Sequence, residues 1–237
     1  MKQNIFLLMM ISGFAMGCAS NKSNSNNLTS AEKNDGWQLL FDGSTMNGWR
    51  TYQNKTSDSW SVKDGSLYCA GSATNKSDMR ADLVTTGEYE NFELAIDWKI
   101  SPKGNSGIMY MVTEQYPAAY LSGPEYQVID DINFPEKLED WQKTGANYAM
   151  DAAPTAKPNA VGEWNHTRII VNNGHVQHWL NGEKIVEYDL GSDKWEKEKA
   201  EGKWKDAPGY GMSRKGHIAL QDHGSEAWFK NVKIRPL

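Results

Sequence analysis

Two Asn-Gly pairs, Asn173-Gly174 and Asn181-Gly182, separate three consecutive runs rich in alternating apolar residues, at 164–171, 175–180 and 183–188. Asn-Gly accepts the positive φ angles of the tight hairpin turn whose twist matches its flanking strands. Three strands joined this way form an antiparallel meander, which commits the chain to an antiparallel sheet. The remaining sequence agrees. Lys63-Asp64-Gly65 links 60–62 to 66–69 as a further hairpin, and in 92–100 Phe92, Leu94, Ile96, Trp98 and Ile100 share one face. Residues 108–112, 123–130, 216–224 and 227–234 supply further strands, while the charged stretch 193–205, free of β-branched residues, predicts one short surface helix. About ten strands with one helix and no internal repeat predict an all-β sandwich.

The N-terminus reads differently. Lys2, an apolar run from Ile5 to Met16 and then Gly17-Cys18 form an export signal, the run being too short for a comfortable transmembrane helix. The ending over 1–18 resembles a bacterial lipoprotein signal, in which Cys18 becomes the lipidated first residue. Ala15-Met16 departs from the usual residues before the cysteine, so simple secretion stays open beside a lipid anchor in the cell envelope. Residues 19–34, dominated by Asn and Ser, predict a flexible polar tether, and 35–237 a single β-sandwich domain. Cys69, the one other cysteine, then has no partner and is expected to be a small buried apolar residue. A net charge of -5 without a Lys/Arg cluster argues against nucleic acid as a partner. Ten Trp and ten Tyr suit either a β-protein core or sugar stacking.

Three stretches carry the candidate chemistry. In 123–130 the alternation puts Glu125 and Gln127 on one face and Tyr126 and Val128 on the other. A polar face in mid-chain covers either a ligand groove or solvent. In 216–224 Ala219, Gln221 and His223 share the side opposite Ile218, Leu220 and Asp222. Between them, 131–158 is a long irregular segment with Trp141 and Tyr148, of the kind that shapes a site or is a plain insertion.

Taken together, Leu39-Leu40-Phe41-Asp42-Gly43, Asn47-Gly48-Trp49, Gly104-Asn105-Ser106-Gly107-Ile108, Glu125-Tyr126-Gln127, Gly162-Glu163-Trp164-Asn165, Leu180-Asn181-Gly182 and the run from Ile218 to Gly224 resemble one bacterial family. It is the 3-keto-disaccharide hydrolase family, also described as 3-keto-glucoside 1,2-lyase and 3-keto-2-hydroxyglucal hydratase. The resemblance implies a concanavalin A-like jelly-roll sandwich of two curved antiparallel sheets with a sugar-binding concave face. It also implies an enzyme that cleaves 3-keto-glycosides.

The residues are compatible with that chemistry. A retaining glycosidase needs two carboxyl groups close together, yet the position two after Glu125 is Gln127, so the second would come from elsewhere, such as Asp130 or Asp131. A ketone at C3 removes the need for the pair, because it acidifies the C2 hydrogen. One base and one stabiliser of negative oxygen then suffice for elimination across C1–C2 followed by hydration, or for net hydrolysis. His223 and Glu125 are the catalytic candidates. Gln127, Gln221, Asn105, Tyr148 and Asp130 are candidates for holding sugar hydroxyls, with Arg80 as a cation that is otherwise a solvated surface group. His178, in register with Val176 and Leu180, is a core or groove-edge residue and is counted among the substrate-binding candidates. Glu125 with His223 offers mixed oxygen and nitrogen ligation to a divalent metal, although no metal-binding motif accompanies them. A non-catalytic carbohydrate-binding module on the same sandwich, or a conventional two-carboxylate glycosidase, is the alternative reading.

Overall fold

The computed structural model describes residues 25–237; the expected export signal, Cys18 and the first part of the expected tether lie outside them. Thirteen strands run in the order β1 Gln38–Leu39, β2 Trp49–Thr51, β3 Trp60–Lys63, β4 Ser66–Cys69, β5 Leu83–Thr85, β6 Phe92–Ile100 and β7 Asn105–Val112. They continue as β8 Glu125–Ile129, β9 Asn165–Asn172, β10 His175–Leu180, β11 Glu183–Asp189, β12 His217–Leu220 and β13 Ala227–Pro236. Every pairing is antiparallel. One sheet has the order β11-β10-β9-β6-β13-β4-β3 with β1 added against β13, and the second is β2-β5-β12-β7-β8. The protein is a concanavalin A-like sandwich.

The meander β9-β10-β11 forms as the turns dictate: Asn173 and Asn181 have φ near +50°, and Gly174 and Gly182 follow them at 82° and 91°. Between the sheets lie the alternate residues of the long strands, among them Phe92, Leu94, Ile96 and Trp98 from one sheet and Ile108, Tyr126, Val128, Ile218 and Leu220 from the other. Each fully buried large apolar side chain of this kind stabilises the fold by about 1.5–3 kcal/mol over exposure. Cys69 sits among them as a free, buried thiol. The outward face of the five-stranded sheet differs. Tyr52, Val84, Met109, Val112, Ala119 and Ala219 cluster on part of it, and the rest is polar.

One expectation needs correction. Residues 25–34 are not a free tether, because Thr29 and Glu32 form a reciprocal capping box that starts helix α1, Ser30–Asn34. Asn26 exchanges hydrogen bonds with Asn231 on β13, and Glu32 pairs with Lys233. The Asn/Ser composition concealed a cap. The short charged surface helix forms as α2, Asp193–Glu201, with Trp195 turned inward, and the turn after it, Lys203–Asp206, buries Trp204.

Candidate active site

Strand register brings the polar positions together. Met109 of β7 lies opposite Glu125 of β8 and also opposite Ala219 of β12, so these three form one row across the sheet. In the next row Gly107 faces Gln127, and its carbonyl accepts the Gln221 N–H at 2.9 Å. Residues opposite one another in an antiparallel sheet point to the same side, so Gln221, Gly107 and Gln127 share the outward face. Asn105 and His223 extend it by one further step. Gly107 lacks a side chain where its neighbours have long ones, and the Glu125 carboxyl occupies the gap: a Cβ at Gly107 would fall 2.2 Å from Glu125 Oε1.

Over this row opens a pocket of about 290 Å³ lined by Asn105, Glu125, Gln127, Gln221 and His223, with Tyr120, Tyr148, Lys203 and Trp204 as walls. The floor is rich in unused hydrogen-bonding capacity. Asn105 Oδ1, Gln127 Oε1 and Gln221 Oε1 are buried without a partner among the described residues, an arrangement that favours a polar ligand able to donate to them. The walls are aromatic. Trp204 stacks on Tyr210 at 4.1 Å, Tyr210 on Trp195 at 5.6 Å and Trp195 on Tyr188 at 5.3 Å, all within 12° of parallel. This ladder reaches back into the core and fixes the Trp204 ring, whose Nε1–H donates to the Tyr148 carbonyl at 3.2 Å. Lys203 Nζ lies 4.3 Å from the Tyr148 ring centre and is the cation of the pocket. A planar aromatic wall above a floor of amides suits a sugar ring, which has apolar C–H faces and a polar rim.

Glu125 is 3% exposed. Burial, reinforced by the Asp82 charge, pushes its pKa up to about 8, against the opposing pull of Lys203 and a contact from Gln221. At neutral pH this carboxyl is therefore mostly protonated and can donate a hydrogen bond. His223, by contrast, is exposed to the groove, and neither ring nitrogen has a partner among the described residues.

A second lobe of about 240 Å³ adjoins the first and shares Tyr120, Gln221 and His223 with it. Arg80 belongs here, tied by Nε at 3.0 Å to Asp222 and by a terminal nitrogen to the Ala70 carbonyl, with its remaining nitrogen buried and unpaired among the described residues. It therefore stands beside the Glu125 pocket, not in it.

Two expected substrate contacts lie elsewhere. Asp130 is one residue past β8 and of the opposite parity to Glu125 and Gln127, so alternation turns it away from the pocket. Its carboxylate accepts the N–H groups of Lys103, Ile132 and Asn133 at 2.8–3.1 Å and shapes the turn there. His178 is wholly inside the sandwich. Its Nδ1–H donates to the Gly145 carbonyl at 2.9 Å, so Nε2 must accept, and the Tyr110 hydroxyl donates to it at 2.8 Å. Burial pushes the His178 pKa down to about 4, and the ring is a neutral bridge in the core. Among the described residues no group of three or more His, Cys, Asp or Glu converges as metal ligands would, so Glu125 and His223 have no third such side chain beside them.

Sequence reasoning missed Trp204, Lys203, Tyr120 and Asp82. Trp204 had a signal, since a tryptophan in an otherwise charged segment must bury its ring somewhere. Asp82 had a fainter one: it lies two residues before Val84, and period two gives the pair one face.

The sequence profile of the 3-keto-alpha-glucoside-1,2-lyase-like domain matches residues 36–235. A protein of Bacteroides thetaiotaomicron named 3-keto-disaccharide hydrolase is 34% identical over 229 residues, spanning 86% of this chain and 79% of its own. A crystal structure of a candidate glycosyl hydrolase from Parabacteroides distasonis superposes with a TM-score of 0.83 at 44% identity, covering 90% of this chain and 99% of that one. A second from the same organism, again a candidate glycosyl hydrolase, gives 0.65 at 30% identity over 85% and 99%.

Proposed function

The chain belongs to the 3-keto-alpha-glucoside-1,2-lyase-like family, and from that premise we propose that it is an enzyme that cleaves the glycosidic bond of 3-keto-glycosides, 3-keto-disaccharides among them. The observation that carries this reading is a buried, neutral carboxyl and an unpartnered imidazole on one floor of amides. The ketone makes the C2 hydrogen acidic. His223 takes that proton, the electron pair delocalises onto the C3 oxygen, and the protonated Glu125 carboxyl donates a hydrogen bond to the enolate so formed. A carboxylic acid held neutral by burial is suited to this task, because it is a strong donor that carries no repelling charge. The enolate collapses, C1–O breaks, and the proton on His223 passes to the departing oxygen. The products are an alcohol, which for a disaccharide is the second sugar, and a 3-keto-2-hydroxyglucal. Addition of water across C1–C2 then gives 3-keto-glucose, so elimination plus hydration equals hydrolysis.

The name of the Bacteroides relative supports the substrate class. Gln127 occupies the position that the close partner of a retaining carboxylate pair would take on β8, which favours elimination over a retaining displacement. The test is to incubate purified protein with one disaccharide in its native and 3-keto forms while following glucal and free 3-keto-glucose. Turnover confined to the 3-keto form with glucal detectable is expected; equal turnover of both forms would remove the reading.

Lys2, the apolar run and Cys18 support a second element, that the protein is exported and held at a membrane by lipid on Cys18. A Cys18→Ser variant is expected to leave the membrane fraction. Unchanged membrane partitioning and mobility would count against the anchor.

A further inference from the structure

The cleft holds a second carboxyl group that the elimination does not use. Asp82 immediately precedes β5, and extending the β5–β12 register by one residue from Leu83 and Leu220 sets it opposite Gln221. Its Oδ1 accepts the Asp222 N–H at 2.9 Å, which fixes the carboxylate, and Oδ1 is the oxygen for which the structure records a hydrogen bond. It lines the second lobe, whose other walls include Tyr52, Lys55, Arg80 and Pro117. Asp82 at the start of β5 and the Glu125 carboxyl, which leans from β8 over Gly107 of β7, lie on either side of Gln221 two strand spacings apart, on the order of 10 Å, since neighbouring strands are about 4.8 Å apart. The two lobes meet at Gln221 and His223. The layout suits a sugar ring stacked on the aromatic wall of the first lobe with its leaving group in the second, the lobe that Asp82 lines.

We propose that Asp82 is the base of the hydration half-reaction, so that elimination and hydration in this one cleft are run by different side chains. The assignment rests on the eliminative reading above. Once the alcohol has left, water enters the second lobe. Asp82 removes one proton as the water oxygen bonds to C1 of the glucal, and the displaced electron pair moves from C1–C2 onto the C3 oxygen, again held by Glu125. The enolate then takes a proton at C2 from Asp82. One water is added, no electrons are gained or lost, and Asp82, Glu125 and His223 all return to their starting states.

The groups facing Asp82 are consistent with a carboxylate that exchanges protons near neutrality. Burial pushes it up to about 6, opposed by the Asp222 N–H and by Lys55, and assisted by the Asp222 charge, which Arg80 in turn neutralises. At pH 7 it is mostly ionised while Glu125 is mostly protonated, so the cleft presents an acid and a base at once.

The test separates the half-reactions. Asp82→Asn retains an oxygen for the Asp222 N–H, and its melting temperature is compared with wild type. Each protein is given 3-keto-disaccharide and, separately, 3-keto-2-hydroxyglucal, with glucal followed by its absorbance and 3-keto-glucose by chromatography. The ratio of hydration rate to elimination rate is expected to fall by about a hundredfold or more in Asp82→Asn, with glucal accumulating from the disaccharide, as loss of a general base predicts. Equal slowing of both steps, or an unchanged ratio, would overturn the role of Asp82. A wild-type protein that forms no glucal and hydrates none supplied would overturn the eliminative reading and this assignment with it.

Discussion

Replacing His223 with alanine is expected to lower kcat on a 3-keto-disaccharide by about two to four orders of magnitude, the usual contribution of a positioned base. The melting temperature should not move. His223 stands three residues beyond the end of β12, is exposed, and forms no hydrogen bond among the described residues, so no part of the sandwich depends on its side chain. A structural histidine in this protein looks different: His178 is buried and bonded at both nitrogens, and its loss would leave the Gly145 carbonyl without its donor and the Tyr110 hydroxyl with Tyr188 alone. The two predictions therefore diverge in kind, one variant losing rate at constant stability and the other losing stability. His223→Ala with near-normal turnover and normal melting would remove the ring from the mechanism and leave Asp82 as the base for C2.

How far the sequence reaches depends on which physical rule each residue obeys. Period two is strict within a strand, so the shared face of Glu125 and Gln127 in β8 could be read directly, as could the meander from its two Asn-Gly turns, whereas Gln221 and His223 lie past the end of β12 and meet as walls of the same pocket. The rule also excluded Asp130, had parity been carried one residue past the strand end. What alternation does not supply is which strands are neighbours. Asp82 reaches the cleft only because β5 pairs with β12, a contact between residues more than 130 apart. Trp204 and Lys203 arrive by another route, on an irregular turn whose place is set by the stack from Tyr188 to Trp204 and not by any local pattern. Residues 25–34 went the other way: a capping box legible as Thr29-x-x-Glu32 was outweighed by the composition around it.

Glu125 links the site to the stability of the whole fold through pH. Its carboxyl titrates near 4.5 in the unfolded chain and near 8 in the folded one, because ionising it inside the pocket forfeits hydration and places a charge near Asp82. Between those values the folded protein keeps a proton that the unfolded chain has released. Stability from this group is therefore fully present below about pH 4.5 and is lost progressively as the pH rises through about 8, an effect on the order of a few kcal/mol. Activity should decline over the upper part of the same range, since the ionised carboxyl no longer donates to the enolate and repels its charge. Glu125→Gln keeps the shape and the neutrality but offers a weaker donor. Its kcat is expected to fall by about ten- to a hundredfold at pH 7, less than the loss of a whole oxyanion donor, and the alkaline decline in rate should disappear. Its melting temperature should equal that of wild type at pH 4.5 and exceed it by several degrees at pH 9. A melting difference that is the same at both pH values would mean that Glu125 is already ionised in the fold, and the enolate would then need its donor from Lys203 or from the amides of Gln127 and Gln221.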